Sequence, residues 1–185
     1  TYPTPTRGLN LFAPYQLYPF GRMGYIIKDL DGDGKADLAM VNNSTSQIVL
    51  LLNTTPAGNT TLSFTSQTIS FSSNTTNILA DDFDGDGRAD LAITDYTNTR
   101  VRVYRNISVI GGLSFTDTAL NLAITGSPWA ISSGDLDTDG KPDIVVGSLN
   151  ANLSILLNLS VSGSINFGTQ QNFSATGSHR SVVTW

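Results

Sequence analysis

The sequence predicts an all-β protein built from tandem repeats. A nine-residue motif of alternating aspartates begins at residues 29, 82 and 135, so 53 residues separate successive copies. Periods of about 20–50 residues are typical of solenoids, propellers and other repeat arrays, and a period of 53 lies at the upper edge of this range. Short apolar runs bounded by Gly, Ser, Thr and Asn surround each motif, as expected for strands. All 15 acidic residues are Asp and none is Glu, which also disfavours surface helices.

Each repeat presents the same elements in the same order. An apolar stretch precedes the motif ("GYIIK", "NILAD", "WAISSG"), and an aliphatic run follows it ("LAMVN", "LAITD", "IVVGS"). A third run ends in Asn ("QIVLLLN", "VRVYRN", "LSILLN"), and after a turn comes "LSF", "LSF" or "INF". The pattern predicts about four strands per repeat, with the aspartate motif joining the first two.

The repeat boundaries follow from this order. We predict complete repeats at residues 24–76, 77–127 and 128–177. Within the N-terminal segment 1–23, residues 9–20 look like the last strand of a repeat, and residues 178–185 look like the first strand of another. The pattern predicts a window on a longer array, or a subunit whose ends are completed by neighbours.

The aspartate motif has the composition of a site for a hard cation. Its copies read "DLDGDGKAD" (first loop, residues 29–37), "DFDGDGRAD" (second loop, 82–90) and "DLDTDGKPD" (third loop, 135–143). Alternate carboxylates on a tight loop converge on one point, and oxygen ligands favour calcium over zinc or copper, with magnesium as an alternative. Gly34, Gly87 and Gly140 stand at position 6, where a sharp turn needs a residue without Cβ.

An EF-hand begins in the same way but is excluded by position 12. That loop requires a bidentate Glu there, whereas these loops carry Met40, Ile93 and Val146 inside apolar runs. Plain solvated Asp-Gly turns are the other alternative. Four carboxylates at fixed offsets in three copies disfavour it.

These residues resemble the FG-GAP or VCBS repeats of integrin α-subunit β-propellers and of many secreted bacterial proteins. The resemblance covers nearly the whole chain. It implies four-stranded antiparallel propeller-type blades, about three plus terminal half-blades, which do not close within one chain. It also implies about three Ca²⁺ ions, one per loop, held by the carboxylates at positions 1, 3, 5 and 9 and the backbone carbonyl at position 7. The implied ligands are Asp29, Asp31, Asp33, Lys35 and Asp37; Asp82, Asp84, Asp86, Arg88 and Asp90; and Asp135, Asp137, Asp139, Lys141 and Asp143. Thr138 replaces a glycine at position 4, which is not a ligand, so we expect little effect.

Asn-x-Ser/Thr acceptor sequences for N-glycosylation are unusually frequent. Three fall at the same point of each repeat, the end of the third strand, where we expect exposure. Turn-forming residues copied by duplication would produce the same pattern. The nine asparagines are Asn53, Asn106 and Asn158 in register, and Asn42, Asn43, Asn59, Asn74, Asn152 and Asn172 elsewhere.

Several function classes are disfavoured. Ten scattered basic residues argue against nucleic acid, and no apolar run is long enough to span a membrane. With one His (His179), no Cys and no Glu, we predict that the protein is not an enzyme. Asp95 and Asp117 stand outside the loops without an identifiable partner. Tyr25 and Trp129 are expected to pack within blades, although a lectin could use them to stack sugars.

Two functions remain after these exclusions. We predict a calcium-stiffened structural or adhesive repeat protein of a cell surface or extracellular fibre. The alternative is a carbohydrate-binding or accessory propeller of a secreted enzyme. Because propellers usually need four or more blades, we expect self-association, either as a dimer that forms a seven-bladed ring or head to tail as a filament. Further repeats of a longer chain and glycans are the other predicted partners. Extracellular calcium modules often have dissociation constants of about 10⁻⁴–10⁻³ M, which favours an extracellular or cell-surface location.

Overall fold

The computed structural model describes residues 24–71, 73–116, 119–150 and 152–174. These residues form twelve β-strands and no helix. The strands are β1 (Tyr25–Lys28), β2 (Asp37–Asn42), β3 (Gln47–Asn53), β4 (Phe64–Ser70), β5 (Thr75–Asp81), β6 (Asp90–Asp95), β7 (Arg100–Tyr104), β8 (Leu120–Ala123), β9 (Pro128–Gly134), β10 (Asp143–Ser148), β11 (Asn152–Leu156) and β12 (Gln171–Ser174).

The strands form three four-stranded antiparallel sheets in tandem, which confirms the predicted fold class. Strands β1–β4, β5–β8 and β9–β12 each make one sheet, with neighbours in chain order. The first strand of each sheet contacts the first strand of the next, as in successive propeller blades. Over the described residues no sheet closes into a barrel. Strand β5 begins at Thr75, two residues before the start predicted for the second repeat.

Each aspartate motif connects the first two strands of its sheet. The last residue of the first strand pairs with the ninth residue of the motif: Lys28 with Asp37, Asp81 with Asp90, and Gly134 with Asp143. The motif is therefore the connection of an antiparallel hairpin, closed by the first ladder pair. This register fixes where the carboxylates project.

The hydrophobic core lies between successive sheets. Because side chains alternate along a strand, the middle sheet contributes to two clusters. Ile78 and Ile93 face the first sheet, and their neighbours Leu79 and Ala92 face the third. Each fully buried Ile or Leu side chain contributes about 1.5–3 kcal/mol. Burial between repeats thus holds the array together, as expected for a repeat protein.

The fourth strand begins later than predicted in two repeats. Phe64 of "LSF" begins β4. In the second and third repeats the corresponding phenylalanines form only isolated bridges, Asn106 with Phe115 and Asn158 with Phe167. A tight hairpin precedes them, closed by reciprocal backbone bonds between Val109 and Gly112. The strands β8 and β12 therefore start further along the chain.

Asp95 has partners that the sequence did not reveal. Its buried carboxylate accepts hydrogen bonds from the side chains of Arg100 and Arg102 at 2.8 Å each, and from Asn98 at 3.0 Å. Burial pushes its pKa up, but the bonds from Arg100, Asn98 and Arg102 outweigh that effect and hold the pKa below its usual range. Asp95 is thus a charged anchor of the β6–β7 turn.

Several predicted features lie outside the described residues. They are the terminal half-blades at residues 9–20 and 178–185, together with Asp117 and His179. Within the described ranges, no helix is long and apolar enough to cross a membrane.

Candidate metal centres

The carboxylate at loop position 1 accepts hydrogen bonds from backbone amides of its own loop. Oδ1 of Asp29 accepts the amide of Gly32 at 2.8 Å, and Oδ2 accepts the amide of Gly34 at 2.8 Å. The second and third loops repeat the bond to position 6, from Gly87 to Asp82 at 2.8 Å and from Gly140 to Asp135 at 3.0 Å. The backbone of each loop therefore bends around its position-1 carboxylate.

Left-handed backbone at positions 4 and 6 makes this curl. The glycines at position 6 have φ of 84°, 87° and 84°. Position 4 is also left-handed, with φ of 83° at Gly32, 70° at Gly85 and 65° at Thr138. A left-handed conformation costs a non-glycine residue about 1–2 kcal/mol. Thr138 therefore takes, at an energetic cost, the conformation that glycine takes in the other two loops, and the expectation that it has little effect on the site stays a prediction.

We expect the substitution Thr138→Gly to stabilise the protein by roughly 0.5–1 kcal/mol. The relieved left-handed strain exceeds the added backbone entropy of glycine in the unfolded chain. Chemical denaturation in chelator would measure the change. The reciprocal substitution Gly85→Thr should destabilise by a similar amount, and equal stability of all three proteins would contradict the strain.

Three aspartates in each loop bring oxygen atoms within 4.8 Å of one another. In the first two loops these are positions 1, 3 and 5, namely Asp29, Asp31 and Asp33, and Asp82, Asp84 and Asp86. In the third loop they are positions 1, 3 and 9, namely Asp135, Asp137 and Asp143. Every group consists of carboxylates alone, which suits a hard divalent cation.

Position 9 has a structural role besides its predicted ligand role. One oxygen of Asp90 accepts the amide of Phe83 at 3.0 Å, and the other accepts the amide of Asn106 at 2.7 Å. Asp37 and Asp143 make the same pair of bonds in their repeats. This carboxylate ties the start of its loop to the end of the third strand.

The electrostatics of the loops fit a bound cation. Asp31 and Asp84 are only 4% and 3% exposed, although each stands among other aspartates. Burial, together with the nearby Asp84 and Asp86, raises the pKa of the Asp90 carboxyl to about 7 against the opposing effect of its two backbone hydrogen bonds. Burial also raises the pKa of Asp37. A divalent ion would remove this cost, because it supplies the largest positive charge near the carboxylates.

The side chain at position 7 pairs with the carboxylate at position 5 of the same loop. Lys35 Nζ lies 2.8 Å from Asp33, Arg88 Nη1 lies 3.2 Å from Asp86, and Lys141 Nζ lies 3.5 Å from Asp139. All three basic side chains are at least 39% exposed. The role of the position-7 carbonyls as ligands stays a prediction.

The loops also contact the next repeat, which the sequence did not predict. Oδ2 of Asp31 accepts the amide of Gly111 at 2.6 Å, and Oδ2 of Asp84 accepts the amide of Gly163 at 3.1 Å. Both glycines lie at the tip of the hairpin that follows the third strand. The position-3 carboxylate is thus shared between its own loop and the following repeat.

The in-register asparagines are part of this contact. Asn106 donates from Nδ2 to the carbonyls of Leu30 and Ala89, both at 2.8 Å, and Asn158 donates to those of Phe83 and Pro142, both at 2.9 Å. Their exposed fractions are 0% and 2%, so the exposure expected of these two acceptor sites is wrong. A glycan on Nδ2 would replace one of its two hydrogens, so it would break one of these bonds and would have to enter a buried site.

The other acceptor asparagines differ in exposure. Asn59, Asn74 and Asn172 are exposed, whereas Asn42 is buried. Asn43, Asn53 and Asn152 are half-buried. Glycosylation stays a prediction at these positions.

The Asn-x-Ser/Thr sequence also forms a turn at the end of the third strand of each repeat. At Asn53, Asn106 and Asn158, the backbone amide of the Ser or Thr two residues later donates to the asparagine Oδ1, at 3.0, 2.9 and 2.9 Å. The Asn-x-Ser/Thr pattern is therefore also a turn of the fold.

The two aromatic residues before the loops behave differently. Trp129 is half-buried and packs edge-on against Tyr96, with ring centroids 6.1 Å apart. Tyr25 is 69% exposed, so the expectation that it packs within a blade is wrong.

Comparison with known families gives two overlapping matches. A family model described as FG-GAP-like repeat matches residues 29–93 and again residues 82–146. Each match begins at one aspartate loop and ends in the strand that follows the next aspartate loop. The unit that the family model describes therefore includes two loops. A search of curated proteins finds no match.

Proposed function

The chain belongs to the FG-GAP-like repeat family, and from this we propose that it is a calcium-binding structural or adhesive repeat protein of an extracellular surface or fibre. The observation that carries the proposal is the position-3 carboxylate. It belongs to a group of three aspartates and also accepts an amide from the following repeat. An ion held there would fix the loop and, through it, the angle between two repeats.

Calcium suits these loops better than other common ions. The groups contain only oxygen donors, three of them charged, on loops whose backbone can adjust to a large ion. Magnesium demands a smaller, near-octahedral shell and retains its waters. Three divalent ions would add six positive charges to a chain of net charge −5, which would bring it to +1.

The role proposed for the ion is structural. The carboxylate oxygens are already used by loop amides, and the chain has a single His, no Cys and no Glu for acid–base or nucleophilic chemistry. At dissociation constants of about 10⁻⁴–10⁻³ M, such sites fill outside cells and stay largely empty in the cytosol. An extracellular location is proposed on this ground.

Head-to-tail assembly is proposed from the two ends of the described array. Leu30 and Phe83, at position 2 of the first two loops, are each 1% exposed because the next repeat covers them. At the same position of the third loop, Leu136 is 46% exposed. Conversely, Leu62 of the first repeat is 66% exposed, whereas its counterpart Leu113 in the second repeat is 7% exposed. We propose that the first repeat of a second copy of the chain covers the third loop of the first copy.

Sedimentation velocity of the 185-residue chain, with and without calcium, tests the proposal. We expect concentration-dependent association in calcium that disappears in chelator, and elongated particles by electron microscopy. Leu136→Asp should abolish association, because it charges the proposed contact. Phe173→Asp is the matched control, since Phe173 is similarly exposed (49%) on β12 of the same repeat. A monomer at all concentrations and calcium levels would overturn the assembly.

A further inference from the structure

Within the described residues, the second loop has a cationic partner that has no counterpart at the other two loops. The residue before the in-register asparagine is Leu52, Arg105 or Leu157 in the three repeats. Arg105 donates from Nε to Oδ2 of Asp84 at 2.5 Å and from Nη2 to Oδ2 of Asp86 at 2.6 Å. Both acceptors belong to the oxygen group of the second loop. A guanidinium therefore bridges positions 3 and 5 of this loop.

This bridge differs from the position-7 pairs that all three loops possess. The position-7 bases are 39–45% exposed, and within the described part of the chain each pairs with the position-5 carboxylate of its own loop. The Arg105 side chain is 26% exposed, and the Asp84 side chain that it contacts is 0% exposed. Ion pairs strengthen where water is excluded, and a guanidinium suits bidentate contact with carboxylates. Arg105 is thus an additional cation, held against the buried position-3 carboxylate.

Arg105 also makes the formal charge of the second loop less negative than that of the other two. Four aspartates and one position-7 base leave a formal charge of −3 on each loop, and Arg105 reduces that of the second loop to −2. Oδ2 of Asp84 accepts from both Arg105 and Gly163, whereas among the described residues Oδ2 of Asp31 in the first loop accepts from Gly111. An incoming cation at the second loop meets a nearby like charge and a carboxylate oxygen that is already engaged.

We propose that Arg105 is a resident cation of the second loop, which holds that loop folded without metal and weakens its calcium binding relative to the first and third loops. The inference rests on the proposed function of the loops as calcium sites. It predicts that the middle repeat stays organised in chelator, while the flanking loops depend on the ion.

Calorimetric titration of calcium into the wild type and into Arg105→Leu tests the proposal. Leucine is the residue that the first and third repeats carry at this position. We expect the wild type to show two tighter sites and one site at least about tenfold weaker, and the variant to bind at that site about tenfold more tightly. Arg105→Lys keeps the charge but loses the bidentate bridge, so its affinity should lie between the two. It also provides a test if the leucine variant folds poorly.

Lys28→Leu is the matched control. It removes an exposed cation near the second loop, since Lys28 Nζ lies 3.8 Å from Asp81, the residue before that loop, and the Lys28 side chain is 45% exposed. We expect its calcium affinities to stay within about twofold of wild type, and its urea midpoint in chelator to stay above that of Arg105→Leu.

The outcomes separate the inference from the function on which it rests. Three equal sites in the wild type, or unchanged affinities in Arg105→Leu, would overturn the role of Arg105 and leave calcium binding intact. No calcium binding by any of the proteins would overturn the proposed function. The stabilising half of the inference would then still be decided by the urea midpoints in chelator, where equal midpoints for Arg105→Leu and Lys28→Leu would refute it.

Discussion

Replacing Asn106 with alanine should lower the free energy of unfolding by about 3–4 kcal/mol. The substitution removes the donor to two carbonyls, those of Leu30 and Ala89, and the acceptor for the amide of Ser108, at a fully buried site. Each buried polar group that loses its partner costs about 1–3 kcal/mol. One of the lost bonds joins the first repeat to the second, so the loss falls on the contact between repeats.

Asn53→Ala is the matched control for this prediction. Asn53 occupies the same place in the first repeat, but its side-chain amide donates to Ala36 within its own loop in an exposed setting. We expect a loss of about 1 kcal/mol or less. Urea denaturation in calcium would measure both changes. Similar losses for the two variants, or a glycan found on Asn106 by mass spectrometry of the folded protein, would contradict the structural role of Asn106.

Removing calcium should cost about 3–5 kcal/mol of stability relative to a solution of about 10 mM calcium. An ion that binds only the folded state adds RT ln(1 + [L]/Kd). For dissociation constants of about 10⁻⁴–10⁻³ M, this is about 1.4–2.7 kcal/mol per site. Two effective sites give the stated range, because the second loop contributes less. The physical source is the relief of repulsion among the clustered carboxylates.

Urea denaturation followed by tryptophan fluorescence would measure this loss in chelator and in calcium. Magnesium at the same concentration controls for ionic strength and for a general divalent effect. We expect magnesium to recover only a small part of the stability. Equal midpoints in chelator, magnesium and calcium would show that the loops do not couple an ion to folding.

The fold was predictable because local patterns carry it. A short apolar run bounded by polar residues, as in "QIVLLLN", indicates a strand whichever sheet it joins, and three equally spaced motifs identify the repeat. The position of the aspartate loops followed from the same pattern, because a motif between two apolar runs can only be their connection. No distant contact was needed for either conclusion.

The contacts between repeats were not predictable in this way. The bond from Asn106 to Leu30 joins residues 76 apart, and that from Gly111 to Asp31 joins residues 80 apart. A single sequence does not reveal which loop faces which hairpin. The same Asn-x-Ser/Thr letters describe an exposed acceptor site and a buried turn, so exposure could not be read from them.

Two further features were hidden by their local setting. Arg105 stands near the end of a strand and looks like an ordinary solvent-facing residue, although its guanidinium reaches a loop 21 residues earlier in the chain. The sequence distinguishes Thr138 only as a ligand or a non-ligand, whereas its left-handed φ of 65° is a property of the folded backbone. In both cases the sequence identified the site but not the neighbour or conformation that modifies it.

The dependence of the unfolding free energy on free calcium concentration tests the central claim most directly. Each ion that binds the folded protein alone adds about 1.4 kcal/mol per tenfold rise in calcium once its site is filled. We predict a limiting slope of about 2.7–4.1 kcal/mol per tenfold, which corresponds to two or three ions. A free energy of unfolding that stays constant from chelator to saturating calcium would contradict the claim that the aspartate loops are metal sites that stabilise the fold.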